Sequence, residues 1–259
     1  MTAYYNEHEP FAAAWLRNLI AEGHIAPGYV DERSIEDVLP AELTGYTQCH
    51  FFAGIGVWSH ALRKAGWDDD RPIWTGSCPC QPFSAASHAH GRKGFADDRH
   101  VWPHFYRLIQ ECRPTEVAGE QVDNALGRSW LDLVANDLES SGYAFGAASL
   151  GASSGRLPMD GPRLYWFSTL SPLREREVGQ GSCISVSGNG QEWPRSQADL
   201  QAIFDSPFKS GECHPQPIIR LNHDGLAPGV VKARTHAAGN AIVAPVAQTF
   251  IESIMEITA

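Results

Sequence analysis

The chain has 259 residues, 43% of them hydrophobic and 19% charged, a balance that fills a core and excludes wholesale disorder. A formal net charge of -10 excludes a nonspecific, charge-driven coat on nucleic acid, while leaving room for a local basic cleft. No apolar run reaches the ~18 residues of a membrane span, MTAYYNEHEP lacks the pattern of a secretory signal, and six cysteines are too sparse for a disulfide scaffold, so the expectation is a cytoplasmic chain with reduced thiols and no membrane partner.

The opening TAYYNE is short, aromatic and β-prone. Pro10 then suits a helix start, and Phe11, Trp15, Leu16, Leu19 and Ile20 recur at helical spacing until Gly23 and Ala-Pro-Gly stop them. A second short strand is predicted around Asp31–Val38. Thr47–Ala53 is the clearest strand and runs into Gly54-Ile55-Gly56, followed by a helix from Val57 to Ala65 closed by Gly66. Pro72–Ser77 reads as a strand ending in SCPCQPFS, and residues 85–99 as a loop without periodicity. Trp102–Cys112 is predicted helical, Glu116–Gly119 a short strand, Ser129–Ser141 a helix, and Tyr143–Leu150 and Leu164–Leu170 strands. Residues 171–220 show little periodicity and read as a small irregular lobe. IVAPVAQTFIESIMEI closes the chain as an amphipathic helix despite Pro245. Strands alternating with helices predict a layered α/β sheet.

Several segments carry chemistry. Phe52-Ala53-Gly54-Ile55-Gly56 joins strand to helix, where glycines let a ligand approach the backbone and the helix start offers free N–H groups; it also fits a plain β-to-α turn. Pro79-Cys80-Gln81-Pro82-Phe83-Ser84 sets a cysteine between prolines that fix the backbone, which suits a held nucleophile, although a buried structural cysteine has the same spelling. A zinc site on Cys78 and Cys80 lacks a partner pair and the right spacing, and a redox pair would need Cys-x-x-Cys. Gly119-Glu120-Gln121-Val122 puts a carboxyl at a strand end, where such sheets bind ligands. Asn240, before the last helix, could cap it.

Taken in this order, the segments resemble the DNA cytosine methyltransferases that modify carbon 5. PCQPFS at 79–84 is identical to that family's nucleophile segment, FAGIG at 52–56 is similar to its cofactor loop, GEQV at 119–122 to its Glu-Asn-Val segment with Gln121 replacing asparagine, and AAGNAIVAPVAQTFI at 237–251 to its closing segment. The resemblance implies a Rossmann-like S-adenosylmethionine-dependent methyltransferase fold. Residues 1–170 with 221–259 would form the catalytic domain, and 171–220 a small target-recognition region. In the family an acidic ribose-binding segment and a short aspartate segment follow the cofactor loop. Here NEHEPFAAAWLRNLI and ERSIEDV, similar to those two, stand at the front instead. The resemblance therefore implies a circular permutation within the sheet, with the strand near Tyr4–Glu7 beside Thr47–Ala53 and Glu7 facing Gly54–Gly56.

The resemblance also implies roles. Cys80 would add to carbon 6 of a flipped cytosine, Glu120 would act at ring N3 and Arg163 would hold the O2 side. S-adenosylmethionine would be bound by Phe52, Ala53, Gly54, Ile55, Gly56, Glu7, Ser34 or Asp37, Pro79, Asn240 and Ala241. Double-stranded DNA would be contacted by Ser84, Arg92, Lys93, Arg156 and Arg195, with His88, His90, Trp193, Lys209 and Arg220 as further candidates. GASSGRLPMDGPRLYW departs from the family's pair of arginines: Arg163 matches the second, Gly161 stands at the first, and Arg156 is a candidate substitute. A monomer of the short form found in phages and prophages is implied, working in the host cytoplasm if phage-encoded. The competing readings are a relative using another donor at the same carbon, and a weakened DNA-binding homologue.

Overall fold

Alternation of Tyr4 and Tyr5 to opposite faces sets the first strand, β1 (Ala3–Asn6), which is fully buried. The computed structural model describes residues 2–79, 101–150, 163–170 and 242–258. These fall in one of two units into which the chain divides, residues 1–174 with 236–259. Helix α1 (Pro10–Ala21) starts with Pro10 in its first turn and with the Glu9 carboxylate accepting the Ala12 N–H at 2.8 Å. It buries Ala12, Ala13 and Leu16. Strand β2 (Gly28–Asp31) follows.

The strand predicted over Asp31–Val38 is corrected: β2 ends at Asp31, and the chain continues in 3-10 turns at Ile35–Asp37 and Pro40–Leu43. The Asp31 carboxylate turns back to accept the Arg33 N–H at 2.9 Å and Arg33 Nη2 at 2.7 Å, a local turn that competes with extended pairing. Burial alone would raise the Asp31 carboxyl; bonds from Arg33 and Tyr4 hold it below its usual range.

Strand β3 (Gln48–Phe51), helix α2 (Val57–Ala65), strand β4 (Ile73–Gly76) and helix α3 (Trp102–Cys112) come next. Strand β5 (Glu116–Val122) runs past the predicted end at Gly119. Helix α4 (Ala125–Ser140) begins before the predicted Ser129, because the Asn124 side chain caps it by accepting the Gly127 N–H at 2.7 Å. Strands β6 (Ala144–Leu150) and β7 (Arg163–Thr169) and helix α5 (Ala244–Thr258) complete the described elements. Among the described residues no helix is long and apolar enough to cross a membrane.

The strands form one seven-stranded sheet in the order β2-β1-β3-β4-β5-β7-β6. From β2 to β5 all pairs are parallel, and β7 runs antiparallel to both its neighbours. This is a doubly wound α/β sheet. One face, with Tyr4, Phe51 and Trp74, packs on α3 and α4 through Phe105, Trp102 and Trp130. The other carries Tyr5 against Ala13 and Leu16 of α1, and Tyr165 between Trp58 of α2 and Phe250 of α5. The register aligns Asn6, Phe51, Gly76 and Gly119 in one row across β1, β3, β4 and β5. The residues that leave the carboxyl ends of these strands therefore share one edge, where open α/β sheets bind ligands.

His50 lies in the middle of the second face, stacked on Tyr5 with ring centroids 5.0 Å apart and with Nδ1 2.8 Å from Thr75 Oγ1. Burial pushes its imidazole down to about 3, so the fold holds it neutral and the unfolded chain takes the proton first. Its contribution to stability is complete above its unfolded value of about 6.5 and is lost as the pH falls toward 3. Urea unfolding of the wild type at about pH 5 should show about 2 kcal/mol less stability from this group than at pH 7.5. His50→Gln should lose that increment of pH dependence. An equal pH dependence in both proteins would contradict the assignment.

Candidate active site

The row from Asn6 to Gly119 puts Glu7, the glycine loop, Ser77-Cys78-Pro79 and Glu120 on the carboxyl edge of neighbouring strands. Strand spacing sets Glu7 and Glu120 roughly 14 Å apart along this edge, across three intervals of about 4.8 Å. Glu7 follows the last residue of β1. Its Oε2 accepts the Gly54 N–H at 2.7 Å and its Oε1 accepts the Glu9 N–H at 2.9 Å. One carboxylate thus joins the glycine loop to the start of α1.

The loop turns sharply after β3. Phe52 takes φ +52°, a strained value for a residue with a side chain, and its ring is held edge-on to Phe105. Gly54 and Gly56 also have positive φ. A Cβ on Gly54 would meet open space, whereas one on Gly56 would lie 3.0 Å from Leu16 Cδ2. The loop is therefore packed on α1 at Gly56 and open at Gly54. On the other side of Glu7, Asn6 Nδ2 donates to the Arg33 carbonyl at 2.8 Å, which fixes the backbone just ahead of Ser34. Ser34 is half-buried at the start of its 3-10 turn, and Asp37 is exposed within it.

The segment leaving β4 is held from both sides. Trp58 Nε1 donates to Ser77 Oγ at 2.9 Å, and Gln121 Nε2 donates to the Cys78 carbonyl at 3.4 Å. Cys78 itself is buried, and desolvation pushes its thiol far above the usual range, which leaves it without nucleophilic thiolate. Pro79 is exposed beyond it.

Glu120 is wholly buried, and that burial raises its carboxyl to about 6, with the nearby Arg163 charge opposing the rise. Arg163 Nη1 lies 3.0 Å from Glu120 Oε1. The contact is diagonal across the antiparallel pair, since Glu120 stands opposite Tyr165 and Val122 opposite Arg163. A carboxyl of this kind is part protonated near neutrality and can donate or accept a proton at a base inserted beside it.

The structure thus brings Glu7 to the loop residues Phe52, Ala53, Gly54, Ile55 and Gly56, and Glu120 to Arg163. Cys80, Ser84, Arg92, Lys93, Arg156, Arg195, Asn240 and Ala241 lie outside the described residues, as do His88, His90, Gly161, Trp193, Lys209, Arg220 and the region 171–220. Sequence reasoning missed Trp58, Ser77 and the use made of Gln121. Gln121 at an asparagine position was the one visible signal; nothing in the spelling links Trp58 to Ser77.

The family model for C-5 cytosine-specific DNA methylases matches residues 67–212. A search of curated protein sequences gives no match. Among solved structures, the S. pombe Dnmt2 methyltransferase is similar at 13% identity and a TM-score of 0.39, over 66% of this chain and 51% of that one. The Entamoeba histolytica methyltransferase EhMeth is similar at 16% identity and a TM-score of 0.37, over 68% and 55%. An E. coli prophage protein assigned as a DNA modification methyltransferase gives 17% identity and a TM-score of 0.35, over 65% and 47%. The chain spans about half the length of these structures.

Removing the Arg163 charge leaves burial unopposed at Glu120. In Arg163→Gln the Glu120 carboxyl should therefore titrate above about 6, as followed by carbon-13 NMR of the side-chain carboxyl. An unchanged or lower midpoint would show that the pair is not coupled.

Proposed function

The chain belongs to the C-5 cytosine-specific DNA methylase family, and on that premise we propose that it transfers a methyl group from S-adenosylmethionine to carbon 5 of a cytosine flipped out of double-stranded DNA. The observation that carries this reading is the buried Glu120, raised to about 6, on the same sheet edge as the strand that delivers Pro79-Cys80-Gln81-Pro82. Carbon 5 of cytosine is a poor nucleophile. Addition of the Cys80 thiolate at carbon 6 makes it enamine-like, with the negative charge shared by N3 and O2. Protonated Glu120 donates to N3, and Arg163 serves the O2 side while keeping the carboxyl from being neutral at all pH values. After transfer, water takes the carbon-5 proton, N3 returns its proton to Glu120 and the thiolate of Cys80 leaves as the carbon 5–carbon 6 double bond re-forms. A stacked base cannot reach Cys80, hence the flip, which costs a few kcal/mol.

The residues present fit the cofactor. Gly54 opens onto space beside the Glu7 carboxylate, and the N-terminus of α2 follows at once. Phe52 to Gly56, Glu7, Ser34 and Asp37 would hold it, and Pro79, Asn240 and Ala241 are proposed as further cofactor residues. When bound, it supplies the electrophilic methyl. We read residues 1–46 as the cofactor-binding unit that the family carries after its glycine loop. The parallel pairing of β1 with β3 and the contact of Glu7 with Gly54 support that reading. On this reading the permutation would amount to one strand–helix–strand unit, β1-α1-β2, moved to the front. Ser84, Arg92, Lys93, Arg156 and Arg195 are the proposed DNA contacts.

DNA carrying 5-fluorocytosine should trap the protein as a covalent adduct, because fluorine cannot leave as the proton does. Cys80→Ala should abolish both the adduct and methyl transfer, by several orders of magnitude, while leaving the fold intact. An adduct that persists in Cys80→Ala would mean another nucleophile. Separately, Glu7→Ala should weaken S-adenosylhomocysteine binding on the order of tenfold to a hundredfold by calorimetry, the loss of a charge-assisted hydrogen bond, and spare DNA binding. Unchanged cofactor affinity would overturn the role of the front unit.

A further inference from the structure

Ser77 and Cys78 form the lead-in to the proline-flanked cysteine, and they are gripped by side chains from two different elements. From the cofactor side comes Trp58, the second residue of α2 after the glycine loop, buried and bonded through Nε1 to Ser77 Oγ. From the acid side comes Gln121, also buried, bonded through Nε2 to the Cys78 carbonyl while its Oε1 accepts the Val122 N–H at 3.0 Å. Gln121 adjoins Glu120. The Trp58 ring meets the edge of Tyr165 at 6.0 Å, and Tyr165 stands opposite Glu120 in the sheet. Every contact therefore runs between the glycine loop, the cysteine lead-in and the buried acid.

We propose that Trp58 is a positioning residue for the nucleophile segment: its indole N–H, acting through Ser77, keys that segment to the helix that carries the glycine loop. The inference rests on the reading above that Cys80 adds to carbon 6. The packing of α2 against Tyr165 asks only for an aromatic ring, and a phenylalanine would supply it. The indole adds one directed donor, aimed at a hydroxyl on the exit turn of β4. Pro79, two residues further on, fixes one of the few backbone torsions between Ser77 and Cys80, which shortens the lever between the bonded hydroxyl and the cysteine. Attack on carbon 6 needs near-contact geometry, and a misplacement of about 1 Å can cost a hundredfold in rate.

The test compares wild type, Trp58→Phe, Ser77→Ala and the double variant in single-turnover capture of 5-fluorocytosine DNA. Cofactor KM and the thermal midpoint are measured alongside. Each single variant should capture roughly tenfold more slowly, with cofactor KM within about twofold and the midpoint nearly unchanged. The double variant should be no slower than either single, because one bond has been removed in all three. Wild-type capture rates in a single variant would overturn the proposal. So would losses that multiply in the double, or a loss matched by weakened cofactor binding or lowered thermal stability. Absence of any adduct in the wild type would defeat the methyl-transfer reading, and the positioning role with it; an active wild type with unaffected variants would defeat the positioning role alone.

Discussion

Four parallel strands run in step, so that Asn6, Phe51, Gly76 and Gly119 sit side by side, and the site depends on that register. A slip of one residue in any pair would turn that strand's side chains to the opposite face. Glu120 would then leave the side of the sheet occupied by Tyr165 and Trp58, and Glu7 would lose Gly54. The alternation of buried side chains on both faces is what prevents the slip. Tyr5, His50 and Thr75 pack on one side, and Tyr4, Phe51 and Trp74 on the other. The core thereby places the chemical groups without touching them.

Two buried or part-buried carboxylates on this edge have opposite environments. Glu7 accepts two backbone N–H groups, which tie it to the glycine loop and to the start of α1. Glu120 is wrapped in apolar surroundings with one guanidinium, an arrangement that brings its proton within reach near neutrality. The thiols of Cys49 in β3 and of Cys78 just after β4 are buried and pushed far up by desolvation, which removes them from proton transfer and nucleophilic attack.

Much of the fold was legible in the sequence. Helices α2 and α3 have the bounds that their apolar period and flanking residues predict, Val57–Ala65 before Gly66 and Trp102–Cys112. The β3 strand and its glycine loop were legible because a β-rich run ends in glycines that must take positive φ. The stretch 31–38, DERSIEDV, was misread: its only apolar residues, Ile35 and Val38, are three apart and give no strand period, and the Asp31 carboxylate closes a local turn that periodicity cannot register. The pairing of Glu120 with Arg163 was likewise out of reach. It arises from the antiparallel insertion of β7 beside β5, a tertiary event that brings together residues 43 apart in sequence. The bond from Trp58 to Ser77 has the same origin, since it joins a helix and a strand end through the sheet.

The aligned strand ends, the open glycine loop beside Glu7 and the buried acid next to Arg163 are the features on which the proposed transfer of methyl to cytosine rests. The measurement closest to that claim is mass spectrometry of nucleosides from duplex DNA incubated with the protein and S-adenosylmethionine carrying a trideuterated methyl group. The account predicts 5-methyldeoxycytidine bearing the label in the wild type and none in Cys80→Ala. Labelled methyl on the exocyclic amine, or cytosine left unmodified by a folded protein that binds both DNA and cofactor, would contradict it.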